Sequence, residues 1–489
     1  MLRDAKAIER RRHPFALAVA IAAVSLLSAL LAPDTFGAAS SASTPVVAPG
    51  SGPAPAYRCA FNVNTDAFTG AYGTASAIGW LGDHNSVITC LGGTFVIQDG
   101  PDGLFQDDGF GIYAGQRTTW TDADGYLPAQ TTAFTIAGGA TVSITEFADR
   151  VVLGGQPFVA VYSRVRVMNP TSRTITADPG ASAALVPLDS APDAVLPHHA
   201  VDHDYVVVSD RFGSATPWPS NEALVAAGGF TAHFAHMRAF WNGQLADIAQ
   251  INVPEPSLVD AYKSGFITTQ ITRSGNDLDT GVNGYESEFS HDVVGILTNL
   301  FTQGSYVDAH ALLTEARNVV GAPGQYVDGL WTYSVPWAVY LLKTGDKAFL
   351  QQNFATGGSG AAEPSIEGAA HSIASDRTGP MGTMEATDDI DTQGYWTDDD
   401  FEALLGLAAY RSIATTLGDT VEASWASTQY ASLLTATDAV LTQTIGQNHL
   451  DYLPCSLIQP NTANRCANPE DANWKIGRAS CRERVSDTV

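Results

Sequence analysis

The sequence predicts a multidomain chain in which an antiparallel β region precedes a region of α-helices. From about Phe61 to Gly213, short runs rich in Val, Ile, Thr, Phe and Tyr are separated by Gly, Asp, Asn and Pro. From about residue 222 the apolar residues recur at helical spacing between caps and breakers. The length of 489 residues, 45% of them hydrophobic, supplies cores for two or three domains.

The N-terminus reads as an export signal. An Arg-rich stretch ends at His13-Pro14, an apolar run follows from Phe15 to Ala32, and small residues surround Gly37-Ala38-Ala39. Residues 1–39 are therefore a signal peptide or an uncleaved membrane anchor, since about 18 apolar residues can just span a bilayer. Either reading makes the protein secreted or extracytoplasmic, and a membrane is a partner only if the anchor is retained. Residues 40–56, uncharged and made of Ser, Thr, Pro, Ala, Val and Gly, cannot bury a core and read as a spacer.

Residues 57–221 carry the strands. Thr141 to Glu146 alternates, Gly154-Gly155 follows a Val-Val-Leu run, and Val161, Ser163, Val165 and Val167 stand two apart before an Asn169-Pro170 turn. Many short strands at this spacing imply an antiparallel sandwich. Residues 222–256 read as a linker with a helix. Helical spacing then covers 257–269, 292–301, 307–320, 334–342, 364–375, 398–416 and 422–444, with Gly345-Asp346 and Gly418-Asp419 separating helices.

At the C-terminus, residues 475–489 are basic in an acidic chain. Ile476 to Val485 reads as a translated sequencing-adapter oligonucleotide and is set aside, so the natural protein is expected to continue past about Trp474. Cys481 goes with it. The remaining Cys59, Cys90, Cys455 and Cys466 form two sequence-local pairs, read for an exported chain as disulfides Cys59–Cys90 and Cys455–Cys466.

Charge excludes one class of partner. Between the two basic ends, 16 Lys and Arg face 47 Asp and Glu, so a nucleic-acid backbone has no basic face to bind. No metal site is expected. His198, His199, Asp202, His203 and Asp204 are dense but lack ligand spacing and read as a loop, and the calcium-like run from Asp277 has Val282 where the turn glycine belongs. No cofactor motif is found.

Three loops set acids beside aromatics at helix starts: Gly284 to Asp292, with Glu286; Tyr326 to Trp331, with Asp328; and Gly382 to Thr397, with Glu385, Asp388, Asp391 and Trp396. Carboxylates accept hydrogen bonds from sugar hydroxyls, aromatic faces cover sugar C–H groups, and carboxyls work as acid and base at an acetal. These residues therefore suggest a carbohydrate site, with Asp292, Glu286, Asp328, Trp331 and Trp396 as binders.

Here the chain resembles the glucoamylase-like six-hairpin glycosidases. The resemblance runs through Val161 to Pro170, Val253-Pro254-Glu255, Ser257 to Tyr262, Tyr285 to Asp292, Tyr340 to Asp346 and Gly394-Tyr395-Trp396-Thr397, covering most of residues 60–450. It implies an N-terminal super-sandwich and an (α/α)6 toroid, incomplete here, over residues 257–474. It implies Asp292 as sugar binder, although His291 stands where the family has Arg, which counts against a glucose-type substrate. The general acid would be Glu385, with Asp388 and Asp391 as rivals. The base falls in a late hairpin, expected beyond this sequence, so the chain alone is expected to be inactive and poorly soluble.

The function read from this is an exported glycoside hydrolase that cleaves an oligo- or polysaccharide by inversion. A polysaccharide lyase and a non-catalytic carbohydrate-binding surface protein are the alternatives. The lyase needs basic residues for its uronate substrate, which the charge balance opposes.

Overall fold

A computed structural model describes residues 61–62, 67–68 and 75–458, apart from 85, 98–105, 115, 213–216, 282–286, 356–363 and 389–392. The export segment, the spacer, the 475–489 tail, Cys59, Cys466, Glu286 and Asp391 lie outside the described residues. No helix among the described residues is long and apolar enough to cross a membrane. The chain divides into two compact units, one within Asp34–Ser287 and one within Glu288–Val489.

The first unit begins with strands β1 (Phe61–Asn62), β2 (Ala67–Phe68), β3 (Ala75–Ile78), β4 (Val87–Cys90), β5 (Thr94–Ile97) and β6 (Gln106–Asp108). It continues with β7 (Thr118–Ala123), β8 (Leu127–Thr135), β9 (Thr141–Leu153), β10 (Gln156–Met168), β11 (Ile175–Thr176), β12 (Val186–Pro187), β13 (Ala194–Val195) and β14 (Ala200–Asp210). Strands β3 to β6 form one antiparallel sheet in chain order, and a second runs β12-β14-β10-β9-β8-β7.

The long β9–β10 hairpin turns at Gly154 and Gly155, both at positive φ (59° and 79°), the geometry a two-residue turn requires. Beyond β10, the Asn169 carboxamide oxygen accepts from the backbone N–H and the hydroxyl of Thr171, which makes the turn the sequence predicts. The two sheets face each other: the Thr89 hydroxyl of β4 donates to Glu146 Oε2 of β9 at 2.9 Å, and the Gly92 N–H donates to Thr132 Oγ1 of β8.

The histidine-rich stretch read as a loop is largely strand β14. Period-two alternation sends Asp202 and Asp204 to one face, where they pair with Arg166 and Arg164 of β10, and buries His203 on the other. The strand separates the acids from His203, so no ligand set forms there.

Glu146 is buried between the sheets. Desolvation, outweighing the Thr89 hydrogen bond and reinforced by the Asp108 charge, pushes its carboxyl from 4.5 up to about 8. The folded state then holds a proton that the unfolded chain releases above 4.5. Stability contributed by this group is present below 4.5 and falls as pH rises to about 8, by at most about 5 kcal/mol at 1.36 kcal/mol per unit. Urea unfolding at pH 5 and pH 8 is expected to show this loss, and Glu146→Gln is expected to flatten it; an unchanged slope in the variant would contradict the assignment.

Helices α1 (Asn221–Ala227), α2 (Phe230–Ala246) and α3 (Pro256–Ile271) complete the first unit. The 17-residue α2 fills most of the segment read as a linker. Its Phe230, Met237, Trp241 and Leu245 are buried, and Asp149 of β9 pins it by bonds to the ring nitrogens of His233 and His236, both at 2.8 Å. α3, implied by the resemblance to be the first barrel helix, packs on β3 and β8 within this unit.

The second unit is helical: α4 (Ser290–Gln303), α5 (Ala309–Val320), α6 (Val327–Thr332), α7 (Ser334–Thr344), α8 (Lys347–Phe354), α9 (Ile366–Ser375), α10 (Thr397–Leu417) and α11 (Thr420–Asn448). Side chains of Asp346, Ser365 and Asp419 cap α8, α9 and α11, and left-handed Gly304, Gly345 and Gly418 end α4, α7 and α10. The described residues thus establish an antiparallel β region followed by a helical region.

Candidate functional site

The site is built around α6, six residues long, of which Asp328, Gly329, Trp331 and Thr332 are buried. It fits between α4 and α10 because two glycines leave room: a Cβ on Gly329 would lie 2.5 Å from Ser290, and one on Gly406 would overlap the Trp331 carbonyl oxygen. Ser290 ties the start of α4 to the segment before α6. Its N–H donates to Gln325 Oε1 at 2.9 Å and its hydroxyl to the Tyr326 carbonyl at 2.6 Å.

That anchoring brings His291 to Asp328. Nδ1–H donates to Asp328 Oδ2 at 2.8 Å, Nε2 lies 3.5 Å from Asp292 Oδ2, and the Tyr326 ring lies against the imidazole at 4.6 Å. Burial opposes a charge on His291, but the bonds and charges of Asp292 and Asp328 outweigh it and raise its pKa to about 11. The group is therefore a carboxylate, imidazolium, carboxylate row. Asp328 is 2% exposed at its side chain and Asp292 36%. Asp328, expected to bind substrate, instead sits behind His291 and orients it, and only Asp292 presents an accessible carboxylate.

Three residues along α6, on the same side of the helix as Asp328, Trp331 begins a second group. Its indole N–H donates to Asp376 Oδ2 at 2.9 Å, and the Asp376 carbonyl accepts the Glu385 N–H at 2.9 Å. The loop around Glu385 is held from α10: the Met384 N–H donates to Asp400 Oδ1 at 3.1 Å, and the Thr387 hydroxyl to Asp399 Oδ2 at 2.8 Å. Desolvation raises the Asp400 carboxyl to about 6 against the bonds from Met384 and Thr437. Glu385 itself is half-buried, and desolvation followed by the Asp376 charge holds its carboxyl above the ordinary range. Such a group keeps its proton longer than a solvated glutamate.

Two expected platforms are corrected. Trp331 is 0% and Trp396 1% exposed, so neither offers a face to a sugar. The Trp331 ring lies in the core with Ile373, Met384, Leu404, Leu407 and Leu433, and only its N–H edge reaches the acids. Trp396 packs on Gly394 and donates to the Thr387 carbonyl at 3.3 Å, closing the loop that carries Glu385. Asp388 is exposed, in contrast to Glu385.

Sequence reasoning missed Asp376, Asp399 and Asp400. Asp376 had a readable signal: it caps the C-terminus of α9, where the helix dipole disfavours an anion. Asp399 and Asp400 lie in the first turn of α10, where acids are ordinary, and only their burial sets them apart.

No protein-family model matches the chain, and no curated protein matches it. Among solved structures, a GH92-family glycosyl hydrolase is similar at TM-score 0.24 and 13% identity, over 75% of this chain and 48% of that one. The chain thus spans about half the length of that structure. A likeness of this size carries no argument about function.

Proposed function

We propose that the protein is an exported glycoside hydrolase acting on a neutral oligo- or polysaccharide. Glu385 is the general acid, Asp292 accepts sugar hydroxyls, and cleavage proceeds by inversion, with the base supplied from outside the described residues. The helices are hairpins of an (α/α)6 ring whose loop end carries the site. One observation above all supports this reading: Glu385 is only half-buried, its carboxyl is raised by desolvation and then by the Asp376 charge, and Asp400 and Asp399 of α10 hold its loop at Met384 and Thr387. Those are the properties an acid needs to protonate a leaving glycosidic oxygen.

Titration of the purified chain with α-glucan, trehalose and rhamnoside oligosaccharides, read by ligand-detected NMR, is expected to show saturable binding that weakens at least about tenfold in Asp292→Asn, the order of one lost charged hydrogen bond. Binding of uronates alone, with an unsaturated product, would establish the lyase in its place. Sugar binding that survives with Asp292→Asn unchanged would remove Asp292 from the site.

Export also bears on the cysteines. Cys90 and Cys455 are buried and neither is a free thiol. The proposed pairings are Cys59–Cys90 and Cys455–Cys466. Non-reducing peptide mapping of protein secreted by an oxidising host is expected to recover both linked pairs, and crossed links would contradict them.

A further inference from the structure

A second cluster lies away from the acids described above. α9 carries Glu367 and His371 four residues apart, hence on one face, and α11 brings Glu422 against them. Asp376 caps the opposite end of α9, about 13 Å from Glu367 along the axis at 1.5 Å per residue.

The ligand atoms of Glu367, His371 and Glu422 all lie within 4.8 Å of one another, and His371 Nε2 is 2.8 Å from Glu422 Oε2. Zinc-class bonds to imidazole nitrogen and carboxylate oxygen are about 2.0–2.2 Å, so side-chain rotations alone bring three such atoms onto one ion.

Two neighbours fix the donors. Trp425 stacks flat on the His371 ring at 3.8 Å and 3°, setting the plane in which Nε2 points. The Tyr410 hydroxyl donates to Glu422 Oε2 at 2.8 Å, the outer bond that metal-binding carboxylates commonly have. Among the described residues no lysine or arginine pairs with either glutamate.

We propose that Glu367, His371 and Glu422 bind a divalent transition ion of the zinc class, which clamps α9 to α11. The imidazole donor selects against calcium and magnesium, which take oxygen ligands. His371 is 41% exposed at its side chain, so water completes the coordination. The site is independent of the glycosidase reading.

The test is titration of the chelator-stripped full chain with zinc chloride and cobalt chloride. Expected results are one saturable equivalent, the visible bands of cobalt in a low-symmetry site, a raised melting temperature with zinc, and quenching of tryptophan emission by cobalt. Trp425→Phe should retain binding and lose much of the quenching. His371→Ala and Glu367→Gln should each weaken binding at least about tenfold, by analogy with the effect of disturbing metal-site partners. Unaltered far-ultraviolet circular dichroism would show that both variants fold. Absence of saturable binding would overturn the proposal, as would binding indifferent to both variants or abolished instead by His198→Ala with His199→Ala.

Discussion

Glu385→Gln, in the active enzyme, is expected to lower turnover of an unactivated oligosaccharide by about 10²–10⁴-fold, the contribution of a positioned general acid, while leaving sugar affinity nearly unchanged. Gln keeps the size of the side chain and cannot supply the proton. Asp376→Asn provides a separate check. The Asp376 charge helps hold the Glu385 carboxyl above its ordinary range. Removing it lowers the Glu385 pKa, so the alkaline limb of the rate profile moves to lower pH with little loss at the acid side. A substrate whose leaving group needs no proton should recover most of the activity in Glu385→Gln. Undiminished turnover by that variant on the unactivated substrate would remove Glu385 from the chemistry.

His291→Leu is expected to cost about 3 kcal/mol, because it strands the buried carboxylate of Asp328 without its partner. The double variant with Asp328→Asn should recover a large part of that loss, since the uncompensated charge goes with it. The pH dependence has a definite sign. The folded pKa of His291 is raised from 6.5 to about 11, so its contribution is complete below 6.5 and disappears as pH climbs through 11. Urea unfolding of wild type and His291→Leu between pH 6 and pH 11 measures both effects. Equal stabilities at pH 6 would contradict the charged bridge.

The helices of the second unit were legible where a long stripe met clear punctuation. In α4, Val293, Val294, Leu297, Leu300 and Phe301 are all buried, and Gly304 ends the helix. The six residues of α6 are too few to display a period, and its conformation follows from the wedge that Gly329 and Gly406 permit. α2 has the stripe, Phe230, Met237, Trp241 and Leu245, but His, Arg, Asn and Gly between them obscure it in sequence.

The site was legible in chemistry and less so in direction. Sequence proximity brought Asp328 and Trp331 forward together, and both do contribute, Asp328 as a buried carboxylate behind His291 and Trp331 by an indole edge that reaches Asp376. Nothing in one dimension distinguishes a tryptophan face turned to solvent from one turned to the core. Glu385 could be named from its loop. Asp376, which tunes it, arrives from the far end of another helix and is joined to it by a backbone bond that no residue pattern announces.

The central claim is that Glu385 meets the glycosidic oxygen of a sugar whose hydroxyls Asp292 accepts. A crystal structure of Glu385→Gln bound to an uncleaved oligosaccharide tests it most directly. The account predicts the substituted amide within about 3 Å of a bridging oxygen and Asp292 at a neighbouring hydroxyl. A sugar held elsewhere on the protein, with that amide and the Asp292 carboxylate both facing water, would contradict it.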